Sequence, residues 1–253
     1  MIRRELEYFF GAVRFFTRLP VPAWVGHSAE ALNRSARYFP AVGLLVGGIG
    51  ALVFVAAMQF WSQPIAVLLS MAATIYATGA FHEDGLSDMV DGLGGGWDKL
   101  RILEIMKDSR VGSYGVVAMV LALLGKFTLL SALDAALLPW ALIAGHALSR
   151  FCSTVLLATM DYVREDLLAK AKPLATRLTV GEMLVALAFT LAALAFLPIP
   201  EVLVGGVLAM LATLWLAAKF RRWLGGYTGD CLGAAQQVSE IAFYLGLAAH
   251  WPA

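Results

Sequence analysis

The chain is 253 residues long, 60% hydrophobic and only 15% charged, with a mean hydropathy of +0.76. Such a composition excludes an ordinary soluble domain and indicates a polytopic membrane protein. A formal net charge of +1 argues against a polyanion-binding surface and hence against a nucleic-acid partner, and the two cysteines, Cys152 and Cys231, lie outside any CxxC or Cys/His spacing.

Residues 1–38 interleave Tyr8, Phe9, Phe10, Phe15 and Phe16 with Arg3, Arg4, Arg14 and Arg18. That pattern predicts an amphipathic helix lying at the membrane interface and ending at the Pro20/Pro22 turn. Arg14 and Arg18 break the apolar run and no small-residue cleavage site follows, so a signal peptide is not expected. Arg37 either snorkels to lipid phosphate or reaches a substrate phosphate; both readings stand open.

Seven stretches approach the roughly 20 apolar residues needed to cross a bilayer. They lie around 39–60, 64–82, 113–133, 136–160, 180–198, 201–218 and 230–251. Gly43, Gly47, Gly48 and Gly50 in the first provide spacings for close helix packing. Lys and Arg number six in 1–38, four in 83–112, four in 161–179 and three in 219–229, with none in the loops between. This alternation places the N-terminus and residues 82–115 on the cytoplasmic side. The expected fold is an all-α bundle of about seven transmembrane helices, a single membrane-embedded catalytic domain over 1–253 in the bacterial cytoplasmic (inner) membrane.

Most of the polar chemistry falls in residues 82–115. In a helix, Asp84, Asp88 and Asp91 at i, i+4 and i+7 occupy one stripe about 60° wide. Leu86, Met89, Val90 and Leu93 fall opposite, and Gly85 and Gly92 flank the acids closely enough for a phosphate to approach the backbone. Like charges one turn apart weaken a helix by roughly 0.2–0.5 kcal/mol per pair, so a cation is expected there. Hard oxygen ligands suit Mg²⁺ or Mn²⁺ together with substrate phosphates. The metal candidates are Glu83, Asp84, Asp88, Asp91 and Asp108, with Asp91 the suggested base.

The following run KDSRVGSYG supplies the complementary charge. Arg110 can grip a phosphate bidentately and Lys107 can neutralise one; Ser109, Gly112 and Tyr114 complete the candidate contacts. Asp108 can equally complete a metal shell or orient Arg110. Toward the C-terminus, Thr228 and Asp230 sit in a glycine-rich lead-in that suits either a phosphate loop or a helix cap. Gln236, with Asp230, is expected to border the pocket. Lys126, His146 and Arg150 fall inside predicted spans; Lys126 is read as pairing with an acid, His146 as packing, and none is assigned to the site.

Together, an acidic helix, a basic Ser/Gly loop and a cytoplasmic mouth suggest group transfer from a diphosphate. The motifs FTRLPVP at 16–22, RSARYFPAVGLLVG at 34–47, HEDGLSDMVDGLGG at 82–95, LEIMKDSRVGSYG at 103–115 and GGYTGDCLGA at 225–234 resemble the cobalamin (5′-phosphate) synthase family. The resemblance implies an Mg²⁺-dependent membrane transferase. Its expected substrates are adenosylcobinamide-GDP and α-ribazole or α-ribazole 5′-phosphate, joined with release of GMP. Membrane lipid is the other expected partner, and homo-oligomerisation is left open. Two other classes are weighed against this. A CDP-alcohol phosphotransferase would use similar metal chemistry, but its DxxDGxxAR…GxxxDxxxD spacing is absent. A cation transporter would place its acids near mid-bilayer on broken helices, not clustered at one mouth.

Overall fold

The computed structural model describes residues 2–26, 29–163 and 178–249; residues 164–177, which hold the basic residues of the third connection expected on the cytoplasmic side, lie outside that set. Helices dominate: α1 (Ile2–Phe16), α2 (Ala29–Ser35) and a 3₁₀ turn (Ala36–Tyr38) lead into α3 (Phe39–Ala57) and α4 (Gln63–Thr78). Next come α5 (Phe81–Gly95), α6 (Lys99–Ile105), α7 (Ser113–Ala132) and α8 (Leu138–Thr159), then α9 (Val180–Leu194), α10 (Ile199–Leu224) and α11 (Gly229–Leu247). Among the described residues the β content is one isolated bridge, Tyr162 to Tyr227.

Every one of the seven apolar stretches is helical, but they do not qualify equally as spans. Four are long and apolar enough among the described residues, Ala31–Ala57, Ser113–Ala132, Leu138–Thr159 and Ile199–Leu224, and a fifth exists if α4 and α5 count as one broken span. The 15 residues of α9 extend about 22 Å at 1.5 Å per residue, short of a hydrocarbon core of about 30 Å.

The chain turns by 85° between α4 and α5. Two consecutive residues make the corner in the left-handed region, Gly79 at φ 66° and Ala80 at φ 59°. Glycine enters that region freely, whereas alanine there costs about 1–2 kcal/mol. Arg18 braces the corner, with its guanidinium against Gly79 and its backbone N–H donating to the Ala77 carbonyl at 2.8 Å. The stretch expected to be helical through residue 82 therefore ends at Thr78, and the acidic helix leaves in a new direction.

Glycines let α3 approach its neighbours. A Cβ on Gly43 would fall 2.6 Å from Ala147 Cα, and one on Gly47 2.6 Å from Ile143 Cα, both on α8; one on Gly50 would fall 2.8 Å from Thr74 Cγ2 on α4. Gly48 faces open space. Gly43→Ala should therefore force α3 off α8 and lower the apparent Tm in detergent by several degrees. Gly48→Ala should leave it unchanged or raise it, since alanine favours a helix over glycine by about 1 kcal/mol. Equal effects at both positions would contradict this packing.

The expected N-terminal helix forms, with Tyr8, Gly11, Ala12, Val13 and Phe16 as its buried face. The Phe16 ring meets Phe39 edge-on at 4.5 Å and stacks on His82 at 5.4 Å, so α1 seals the starts of both α3 and α5. Arg37 is engaged within the protein. Its guanidinium lies 3.5 Å from Glu5 and 3.2 Å from Glu182, over the Tyr8 ring, because two carboxylates from α1 and α9 converge there.

Candidate active site

Helix α5 is held between α11 and α7. A Cβ on Gly85 would lie 3.1 Å from the Asp230 carbonyl oxygen and 3.3 Å from Gly233 Cα. One on Gly92 would lie 3.1 Å from the Ile102 carbonyl oxygen. These two glycines are helix-packing contacts with their faces already covered, which corrects the expectation that they admit a phosphate. Leu86 and Met89 are buried as the helical spacing predicts, and Val90 and Leu93 are partly so.

The acidic stripe is graded rather than uniformly open. Asp84 is exposed and Asp88 half-buried, whereas Glu83 and Asp91 are only 8% and 7% exposed. Asp91 is committed at both oxygens: Oδ2 accepts from Gly112 N–H at 2.7 Å and Oδ1 from Gly115 N–H at 2.8 Å. These amides open α7, where orphan N–H groups and the helix dipole favour an anion. A side chain on Gly112 or Gly115 would collide with the Asp91 carboxylate, which accounts for glycine at both places. Gly112 thus serves Asp91, and Asp91 anchors the loop that precedes α7.

Within that loop Asp108 and Arg110 hold each other. Arg110 Nε donates to Oδ1 at 3.0 Å and its Nη2 to Oδ2 at 2.6 Å, while its backbone N–H reaches Oδ1 at 3.1 Å. The Arg110 side-chain and backbone hydrogen bonds pull the Asp108 carboxyl down to about 2. Because the folded value is depressed, the pair is complete at neutral pH and is lost only as pH falls through about 2. Of the two readings of Asp108, the structure displays the one in which it orients Arg110. Lys107 and Ser109 are exposed on the same loop; Tyr114, exposed in the first turn of α7, lays its ring against Gly94.

Two clefts flank α5. One, of about 410 Å³, is lined by Glu83, Asp84, Ser87 and the apolar residues Val111, Val116 and Val120. The other, of about 480 Å³, is lined by Asp91, Arg101, Glu104, Asp108, Arg110 and Tyr114. Val111 belongs to both, so the end of the basic loop stands between them.

Among the described residues no three His, Cys, Asp or Glu side chains are gathered as a metal site. The five carboxylates expected as a shell are therefore not brought together, since Asp91 is taken up by amides and Asp108 by Arg110. Glu83 Oε2 and Ser87 Oγ, however, are buried without a hydrogen-bond partner, beside Asp84 on one cleft wall. A buried carboxylate oxygen left this way is costly unless something positive meets it. Hard oxygen donors of this kind fit Mg²⁺, which takes a few carboxylates and completes its shell with phosphate oxygens and water.

The lead-in to α11 resolves as a cap. Thr228 is fully buried and accepts from Cys231 N–H at 3.3 Å. Gly225, at φ 78°, closes α10. Asp230 lies in the first turn of α11 with its backbone against Gly85. Gln236 is buried in the bundle and donates to Ser149 at 2.9 Å and Glu240 at 2.6 Å.

Gln237 and Glu240 interrupt the last expected span, where sequence reasoning has such groups face a cavity or the bundle interior, and Arg150 is left unassigned. Lys126 does pair with an acid, Glu240, at 3.2 Å, and His146 Nδ1 lies 3.7 Å from the same carboxylate. Arg150 donates to the His146 carbonyl at 3.0 Å. The available signal was the charge inventory of the spans, because cations buried in lipid require acids at matching depth.

A family model described as cobalamin-5-phosphate synthase matches residues 8–248. The chain is 46% identical to a Shewanella woodyi protein named adenosylcobinamide-GDP ribazoletransferase, over 98% of this chain and 97% of that one. Proteins of the same name from Vibrio cholerae and a Polaromonas species are also 46% identical, covering 98% and 94% of this chain and 96% and 94% of theirs. No solved structure matches. With the acidic helix, the KDSR loop and the α11 lead-in all inside the matched region, the chain belongs to the cobalamin-5-phosphate synthase family.

Proposed function

We propose that this protein is an adenosylcobinamide-GDP ribazoletransferase of cobalamin assembly. It joins adenosylcobinamide-GDP to α-ribazole, or to α-ribazole 5′-phosphate, and releases GMP. Full-length similarity to relatives carrying that name supports the reading. The observation that carries it is local: an acidic helix and a basic loop face each other across two adjoining clefts, joined through Asp91. An alcohol oxygen of ribazole attacks the phosphorus on the cobinamide side, the bond to GMP breaks, and a carboxylate takes the alcohol's proton. Asp84 and Asp88 occupy the more open part of the stripe for that role, since both oxygens of Asp91 already accept amide hydrogens. Arg110, with Lys107 and Ser109, would meet the diphosphate, Arg110 being pre-aligned by Asp108.

Mg²⁺ is the proposed cofactor; Glu83 and Asp84, with Ser87 on the same cleft wall, would offer it oxygens, and substrate phosphate and water would complete its shell. The ion would neutralise charge on the diphosphate and the departing GMP. The proposed setting is the bacterial inner membrane with residues 82–115 toward the cytoplasm, which the distribution of Lys and Arg supports.

Detergent-purified protein given adenosylcobinamide-GDP and α-ribazole should release GMP and form cobamide together, and only with Mg²⁺. Asp88→Asn should lower turnover on the order of 100-fold. Arg110→Lys should lower it roughly tenfold or more, one charge-assisted hydrogen bond being lost. Turnover of CDP-alcohol donors instead, or cation flux without any transfer, would overturn the reading.

A further inference from the structure

The bundle interior contains a closed ring of side chains to which the transfer chemistry above assigns no role. Lys126 Nζ on α7 donates to Gln237 Oε1 at 3.0 Å and lies 3.2 Å from Glu240 Oε1. Gln237 Nε2 donates to Gln236 Oε1 at 2.9 Å, and Gln236 Nε2 donates to Glu240 Oε2 at 2.6 Å. All four side chains are buried.

Donor and acceptor chemistry allows this ring one arrangement. An ammonium group can only donate, so Gln237 must turn its oxygen to Lys126 and its NH₂ group away. One hydrogen of that NH₂ goes to Gln236, which must then donate from its own nitrogen, to Glu240 and Ser149. The other leaves the ring and reaches Glu83 Oε1 on α5 at 3.0 Å. Flipping either amide would set donor against donor at one joint and acceptor against acceptor at another. The ring therefore delivers a hydrogen-bond donor of fixed position to one oxygen of Glu83, while the other, Oε2, is buried without a hydrogen-bond partner in a residue that lines the cleft with Asp84 and Ser87.

We propose that Lys126, Gln236, Gln237 and Glu240 act as positioning residues for Glu83, tying back Oε1 so that the carboxylate is held in one orientation with Oε2 left without a protein partner. The role of Glu83 in the reaction rests on the proposed function; the tie itself does not. Buried polar side chains also serve simply to glue membrane helices together, so the test must separate positioning from packing.

A double-mutant cycle on Gln237→Met and Glu83→Gln does this in the full-length protein. Gln237→Met keeps length and removes the donor. Its kcat should fall roughly 10–100-fold with KM for both substrates within about threefold of wild type, as expected for a contact that matters in the transition state and not in substrate binding. In the Glu83→Gln background the same substitution should cost less than about threefold. Gln237→Glu, which keeps an acceptor for Lys126 but takes the hydrogen from Glu83, should reproduce the loss if Gln237→Met folds poorly. A Gln237→Met enzyme with wild-type kcat, or equal losses in both backgrounds, would overturn the proposal. If the wild type itself releases no GMP, the functional reading falls, and the melting temperatures of the same four proteins decide the tie. Coupled shifts would uphold it and additive shifts would remove it.

Discussion

Asp91→Ala is expected to reduce GMP release by at least about 100-fold and, at the same time, to loosen residues 107–115. The two effects have one cause. Asp91 accepts the N–H groups of Gly112 and Gly115, and stranding a buried donor costs about 1–3 kcal/mol each. The start of α7 and the Arg110 loop would then lose their fixed distance from α5. Asp91→Asn should be nearly as damaging, because an amide offers one oxygen to two donors and sets its own NH₂ against the second. Asp91→Glu should also fail, since the carboxylate fits against two positions that have no side chain. Hydrogen exchange across 107–115, measured beside turnover, separates anchor from base. Loss of turnover in Asp91→Asn with exchange unchanged would return Asp91 to the role of a simple base.

Lys126→Met should be the most destabilising single change in the bundle interior. It leaves the fully buried Glu240 without its ammonium partner, a situation that costs about 3–5 kcal/mol. At about 2–4 °C per kcal/mol for a chain of this size, the apparent Tm in detergent should fall by roughly 6–20 °C. Lys126→Met combined with Glu240→Gln should recover much of the loss, because removing both charges removes the burial penalty with the attraction. A double variant as unstable as the single one would show that shape, rather than charge pairing, sets stability here.

The acidic helix was legible because three carboxylates at i, i+4 and i+7 opposite Leu86 and Met89 follow from helical geometry alone. The close approach of α3 to α8 was legible for a similar reason, from Gly43 and Gly47. The corner before α5 was not, because Ala80 has no sequence signal for a left-handed conformation and Gly79 in an apolar run reads as packing. The commitment of Asp91 was hidden for another reason. Its partners are backbone amides, and every residue but proline carries one, so residue type does not reveal which will converge. The contacts of Arg37 with Glu5 and Glu182 were not legible, because those acids come from α1 and α9, far apart in sequence, and residue type does not show which carboxylates converge on a given cation. Thr228 fitted both a phosphate loop and a cap, and only its burial separates them.

The ring that joins α7 to α11 also bears on how the protein is made. Lys126 and Gln237 are 111 residues apart, and Glu240 follows later still, so α7 leaves the ribosome long before its counter-charge is synthesised. During that interval a lysine sits uncompensated in a nascent apolar helix, and only the final helix neutralises it. The settling of α7 and the arrival of α11 are thereby coupled: until α11 packs, Lys126 lacks the carboxylate it meets in the bundle.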